Sequence, residues 1–306
     1  VAAASVAATW AAWTYEGQWG TRGSGNGEFY YPYSVAVASN GTVYVIDSEN
    51  DRIEYFTATG SYIGQWGSPG SGNGQFDNPL GVAVGGNGDV YVTDSANNRI
   101  QYFTATGSFL GKWGSGGSGR GDVNYPFGIA VAPKGNVYVA EAGNHRVQYF
   151  TPTGSHLGMW GTVGTGNGEF YALRGIAVAP GGNVYTADSY LDRVQYFTST
   201  GTYLGQWDDD FFYSIGVAVA PNGDVYVANS ARSRIEYFTA TGSYLGQWGS
   251  NGSGNGEFVW PTALDFNVTS SRVYVADCHN DRVQYFNRNE TAVAPTSLGR
   301  VKALFK

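Results

Sequence analysis

The sequence has little of what most catalytic or cross-linked proteins use: one cysteine, three histidines, and 13% charged residues in 306 positions. Cys278 has no second cysteine to bridge, so an internal disulfide is excluded, and His145, His156 and His279 leave little for a metal centre. Positive charge is scarce as well, with 17 Lys+Arg against 24 Asp+Glu and a net charge of −7. A protein that binds nucleic acid by neutralising phosphates needs a basic face, which this chain does not offer. No apolar run reaches the roughly 20 residues needed to cross a bilayer, so no membrane span is expected; the longest uncharged stretch, at the N-terminus, is shorter.

What is abundant is glycine, with 46 residues, and aromatic side chains, at 16%. They are arranged periodically. Arginine-centred segments recur as DRIEYF at Arg52, NRIQYF at Arg99, HRVQYF at Arg146, DRVQYF at Arg193, SRIEYF at Arg234 and DRVQYF at Arg282, in steps of 47, 47, 47, 41 and 48 residues. Each follows a string of the type VYVID or VYVAD, and the first five are followed by a Thr-Gly turn and a segment such as YIGQW or YLGQW. Every repeat therefore holds four short runs rich in Val, Ile, Tyr, Phe and Trp between glycine-containing turns, which is the signal of strands joined by hairpins. Four antiparallel strands repeated six times predict an all-β, six-bladed β-propeller, whose closed ring leaves no long free edge.

Six arginine segments are followed by only five GQW segments. The missing outer strand is supplied by EGQWG at Glu16–Gly20, so the ring is expected to close by pairing this N-terminal strand with the last repeat. The organisation read from sequence is an apolar extension at 1–15, a propeller at 16–286 and a tail at 287–306.

The VYVxDxxNxR spacing resembles the NHL repeat family, named for an Asn-His-Leu element whose counterparts here read NDR, NNR, NHR, LDR, RSR and NDR. The resemblance spans Gly17 to Phe286 and implies the propeller architecture. It leaves function open, because the family includes RNA-binding domains, interaction scaffolds and lyases. The lyases use several histidines around the ring axis, and the resemblance supplies no such set here.

The ring of Asp47, Asp94, Glu141, Asp188, Asn229 and Asp277, five residues before each arginine, reads as a turn-fixing hydrogen bond repeated in every blade. Positions that break the symmetry are better site candidates. After Trp207 the glycine-rich connection is deleted and replaced by Asp208, Asp209, Asp210, Phe211 and Phe212, where carboxylates could hold Ca²⁺. With Tyr31 and Trp260, the residues Asp208, Asp210 and Phe212 form a candidate ligand-binding set on the variable face. The leading functional expectation is a non-enzymatic scaffold, outside the cell or on its surface, whose partners are other copies of itself. It would assemble through Val6, Trp10 and Trp13 at one end and Val301, Leu304 and Phe305 at the other. The alternative is a module that recognises a cell-surface protein, glycan or peptide through the variable face.

Overall fold

The computed structural model describes residues 13–267 and 272–288. Within them the strands form six four-stranded antiparallel sheets arranged as blades around an axis. Blade 1 runs outward through β2 (Pro32–Val37), β3 (Val43–Asp47), β4 (Arg52–Phe56) and β5 (Tyr62–Trp66). The inner strands of the next four blades are β6 (Pro79–Val84), β10 (Pro126–Val131), β14 (Leu173–Val178) and β18 (Ser214–Val219). In blade 6, β22 (Pro261–Phe266), β23 (Arg272–Asp277) and β24 (Arg282–Arg288) are completed by β1 (Trp13–Trp19), which pairs with β24 from Trp13↔Arg288 to Trp19↔Val283. The closure expected from the surplus GQW segment is the one observed.

Burial follows from blade stacking. β-Branched and aromatic residues alternate along each second strand, and both of its faces are covered by neighbouring blades, so β3 is buried throughout. Outer strands alternate between half-buried and exposed positions. The largest buried groups repeat with the blades: Tyr44, Tyr91, Tyr138, Tyr185, Tyr226 and Tyr274 are each at most 1% exposed. Five of them donate a hydroxyl hydrogen bond to a turn carbonyl of the next blade, for example Tyr44 to Ala105 at 2.9 Å and Tyr274 to Ala58 at 2.9 Å. The sixth, Tyr226, meets the Trp13 ring edge-on at 5.8 Å. Trp13 also stacks on Trp248 at 5.2 Å. The propeller strand thus begins at Trp13 rather than Glu16 and ends at Arg288 rather than Phe286. Trp13, expected in a free self-assembly segment, is consumed inside the ring; Val6, Trp10, Val301, Leu304 and Phe305 lie outside the described residues.

The outer-strand tryptophans carry contact from each blade to the next. Trp66 packs on Phe103 at 5.6 Å and Trp113 on Phe150 at 5.7 Å, and Trp19 of the closing strand continues the series onto Phe56 at 5.5 Å. Each ring covers a turn glycine: a Cβ at Gly60, where φ is +87°, would stand 2.6 Å from Trp19. The turn requires glycine both for its left-handed backbone and for the aromatic ring that lies over it.

The acid–arginine contact is present at 2.7 Å for Asp47–Arg52, 2.6 Å for Asp94–Arg99, 2.9 Å for Glu141–Arg146 and 2.7 Å for Asp277–Arg282. The arginine does more than fix a turn. Arg52 also donates to the carbonyls of Ser24, Gly25 and Glu28 at 2.8, 2.9 and 2.8 Å, clamping the glycine-rich connection that enters its blade. Arg193 makes the same three carbonyl contacts, while Asp188 turns to the backbone N–H groups of Tyr171 and Ala172. Arg234, whose connection is shortened, pairs instead with Glu236 and, at 3.4 Å, with Asp210.

Blade 1 departs from this pattern in its charge. In blade 2 the Gln101 amide donates to Asp94 at 3.0 Å and to the Gln75 carbonyl at 2.7 Å. Blade 1 has Glu54 in that place, facing Asp47 with Arg52 between them; its Oε2 is buried without a hydrogen-bond partner, and burial pushes its carboxyl from 4.5 up to about 7. A carboxyl raised in the folded state keeps its proton where the unfolded chain has lost it, so stability should fall as pH rises from about 4.5 to about 7. Glu54→Gln restores the amide of the other blades. It should raise the melting temperature at pH 8, by the equivalent of roughly 2 kcal/mol, and have little effect at pH 4; thermal melts at both pH values decide it. Deleting residues 1–20 removes the closing ladder together with the Trp13 and Trp19 contacts, and should lower the melting temperature by roughly 10 °C or more.

Candidate functional site

Outer-to-inner connections and second-to-third turns share one face of the ring, because strand direction alternates. The inner strands begin on this face, and the residue immediately before each is Tyr31, Asn78, Tyr125, Ala172, Tyr213 or Trp260. Five of the six adopt left-handed backbone, with φ of +58° at Tyr31, +54° at Asn78, +46° at Tyr125, +57° at Tyr213 and +57° at Trp260. Asparagine suits that conformation; tyrosine and tryptophan do not, and each costs on the order of 1 kcal/mol there. The strained backbone is pinned from the previous blade: the N–H of Tyr31 donates to Asp281 at 3.0 Å, that of Tyr125 to Asn98 at 2.8 Å and that of Tyr213 to Asp192 at 2.8 Å. Aromatic side chains are thus held around the axis where folding alone would favour asparagine or glycine.

They join into one arc. Arg22 lies over Tyr30 at 4.5 Å, Tyr30 stacks on Tyr31 at 5.0 Å, and Tyr31 meets His279 at 5.2 Å. His279 lies parallel to Trp260 at 5.6 Å and 9°, Trp260 meets Tyr213 at 5.4 Å, and Tyr213 is capped by the Arg174 guanidinium at 4.7 Å. Arg174 also donates to the Tyr213 hydroxyl at 2.7 Å and lies over Phe127 at 5.1 Å. At the centre, buried Leu80, Phe127 and Ile215 pack with Tyr33, Tyr213 and Trp260 and form the floor on which the arc stands.

His279 is the exposed member of a short turn whose preceding residue, Cys278, is buried at 1%. Burial of its ring against the aromatics holds the imidazole below its ordinary value, outweighing the opposite pull of Asp281 and Asp277. It is therefore neutral at pH 7 and able to accept a proton. Cys278 is pushed far up by burial, which leaves its thiol protonated and unreactive.

The structure brings together two of the residues singled out from sequence, Tyr31 and Trp260, on either side of His279. Phe212 is 58% exposed on the shortened connection and stands outside the arc. Asp208 is exposed, and Asp210 gives its carboxylate to Arg232 and Arg234. Among the described residues, no three His, Cys, Asp or Glu side chains converge as a metal ion would require, and no helix is long and apolar enough to cross a membrane.

Residues 76–103 and 123–150 match the family described as NHL repeat. These two matched stretches lie in blades 2 and 3 of the six-bladed ring. No curated protein matches the sequence. Among solved structures, the chain is similar to virginiamycin B lyase from Staphylococcus aureus, at 16% identity and a TM-score of 0.60 over 83% of this chain and 80% of that one. It is similar to a streptogramin B lyase at 15% identity and a TM-score of 0.62, over 88% and 96% of the two chains. It is also similar to a gluconolactonase from Xanthomonas campestris at 13% identity and a TM-score of 0.66, over 86% and 88%. At these identities the likeness is one of fold.

The likeness nonetheless corrects the functional expectation. Solved propellers of this form include lyases and a lactonase, which overturns the expectation of no enzyme and, with it, the non-enzymatic scaffold and its binding-module alternative. The physical reason lies in ring closure. The expectation rested on the scarcity of histidines and the lack of a set of them around the ring axis, whereas the seam between blades 6 and 1 gives a single imidazole, His279, an aromatic partner in Tyr31.

If the strained aromatics are held for a ligand rather than for the fold, replacing one with the residue the backbone prefers should not destabilise the protein. Tyr125→Asn reproduces the Asn78 geometry and gives up one exposed ring and its hydrogen bond from Asn78 at 2.9 Å. Its melting temperature should equal or exceed that of the wild type, which a thermal melt checks.

Proposed function

We propose that the NHL-repeat propeller is an enzyme acting on a small, ring-bearing molecule at the face where the inner strands begin, with His279 as the group that moves the proton. The observation that carries this reading is an exposed imidazole fixed between Trp260 and Tyr31 and held neutral by its surroundings. Flat aromatic faces on either side suit a flat or ring-shaped substrate. Arg174, two rings further along the arc, supplies a fixed positive charge for a carboxylate or a developing oxyanion. The chemistry open to this set is general base catalysis: His279 takes a proton from water or from an acidic C–H of the substrate and returns it to the departing oxygen. Lyase and lactonase reactions, which the names of the structurally similar proteins describe, are of this kind.

The test is turnover of a streptogramin B antibiotic and of gluconolactone by the purified protein. Because the imidazole must be neutral to act, kcat/KM should rise with pH along a limb centred below the ordinary histidine value of about 6.5, and be lost on the acid side. His279→Gln should lower kcat by roughly 100-fold and abolish that limb. Trp260→Ala should raise KM more than it lowers kcat. Absence of turnover with either substrate, or an unchanged pH profile in His279→Gln, overturns the assignment.

A further inference from the structure

Behind the buried floor runs a channel along the ring axis, with a volume of about 470 Å³. Its walls are the inner strands. Four blades approach their neighbours closely at the strand's third position, where a Cβ on Gly81 would stand 2.5 Å from the Phe127 carbonyl and one on Gly175 would stand 2.4 Å from that of Ile215. The channel is blind on the side of the aromatic arc, where Leu80, Phe127 and Ile215 are at most 8% exposed. It opens on the opposite face between Gly86, Pro133, Pro180 and Pro221, all exposed.

The lining side chains are mostly apolar and nearly six-fold symmetric, with Ser34, Thr262 and Arg174 among them toward the floor. At the fifth position of the inner strand, five blades place alanine: Ala36, Ala83, Ala130, Ala177 and Ala218. Blade 6 places Asp265. Its carboxylate accepts the backbone N–H groups of Val37 and Phe266, each at 2.8 Å, and it belongs to no ion pair found among the described residues. Five blades pack at this point with a methyl group, so the fold does not require an acid there. A carboxylate surrounded by protein loses several kcal/mol of hydration that two backbone hydrogen bonds offset only in part. Burial accordingly pushes Asp265 up to about 6. The residue remains in contact with the channel space.

We propose that this channel is a second ligand site, separate from the aromatic arc, that takes an amphiphilic organic cation, a primary alkylammonium, through the open end. The ammonium pairs with Asp265 and the alkyl chain lies against the apolar wall toward the blind end. Three residues separate the level of Asp265 from that of the floor, about 10 Å along the strand, which accommodates a medium-length chain. Arg174 does not compete for Asp265, because its guanidinium is bonded to the Tyr213 hydroxyl and faces the arc at the other end. The choice of a cation rests on charge: an isolated carboxylate in an apolar enclosure gains most from a ligand that neutralises it and that itself brings apolar surface to bury.

Calorimetric titration of the full chain with n-octylammonium chloride, octan-1-ol and sodium octanoate tests this. Octylammonium should bind one per chain and at least roughly tenfold more tightly than either comparator. Asp265→Ala, which copies the other five blades, should weaken octylammonium at least roughly tenfold while leaving octanol unchanged. Asp265→Asn keeps the side-chain volume and gives the same readout should the alanine variant fold poorly. His279→Gln should leave octylammonium binding intact, so this site stands or falls independently of the arc. No binding by octylammonium, equal affinity for octylammonium and octanol, or unchanged affinity in both Asp265 variants overturns the proposal.

Discussion

The interaction on which the ring depends is the buried arginine at the start of the third strand in five of the six blades. A guanidinium has five donors in a rigid plane, and in blade 1 they are spent on one acid, one outer-strand glutamine and three carbonyls of the incoming connection. Those connections are rich in glycine and have almost no side chains with which to organise themselves. Without the arginine, their carbonyls would be buried unpaired and the loops would lose their path between blades. The clamp therefore converts a flexible stretch of Gly, Ser and Asn into a fixed approach to the inner strand. The left-handed residue at which that strand begins is held separately, by a side chain of the previous blade, and keeps its conformation at Tyr213 even where the clamp is lost.

Blade 5 shows what happens when the connection changes. Six residues are lost after Trp207, and the arginine clamp loses its carbonyls. Arg234 then takes Glu236 as its partner, and the acid–amide pair of the other blades is exchanged, with Asn229 donating to Glu236 at 3.0 Å. The exchange conserves one negative charge per arginine. Blade 1 does not conserve it, since Asp47 and Glu54 share Arg52, and burial favours the protonated form of Glu54. Charge balance at the clamp thus explains both local irregularities with the same rule.

Much of the fold was legible because a propeller writes itself into sequence six times over. The steps of 47 residues, the 41-residue step and the surplus GQW segment fixed the blade count, the shortened connection and the closing strand. The acid–arginine pair was legible, but its clamp on the connection was not, because carbonyl acceptors have no side-chain signature. Trp13 was misplaced for a related reason: an Ala-rich segment reads as unpartnered until the blade 5–6 cleft that receives its tryptophan is seen. The site was the least legible part. Tyr31, Trp260 and Arg174 stand out as breaks in repeat symmetry, yet His279 counted only as one of too few histidines and gains its environment only across the seam. Asp265 did leave a signal, a carboxylate in a column otherwise made of alanine, visible once PYSVAV, PLGVAV, PFGIAV, LRGIAV, SIGVAV and PTALDF are aligned.

The seam between β1 and β24 also sets the order in which the molecule can be made. A ribosome releases β1 first and the strand that pairs with it last, so the edge that completes blade 6 must wait through the synthesis of every other blade. During that interval the Trp13 and Trp19 rings have no blade to cover them, and blades 1 to 5 can form local hairpins without a ring. Closing a contact between the two most distant strands carries the full entropic cost of the intervening chain, which places ring closure among the slow steps of maturation. His279 and Tyr31 face each other only after it. The His279–Tyr31 contact and the closed ring therefore come into being in a single event, and a nascent propeller with blades 1 to 5 formed would still lack the complete arc.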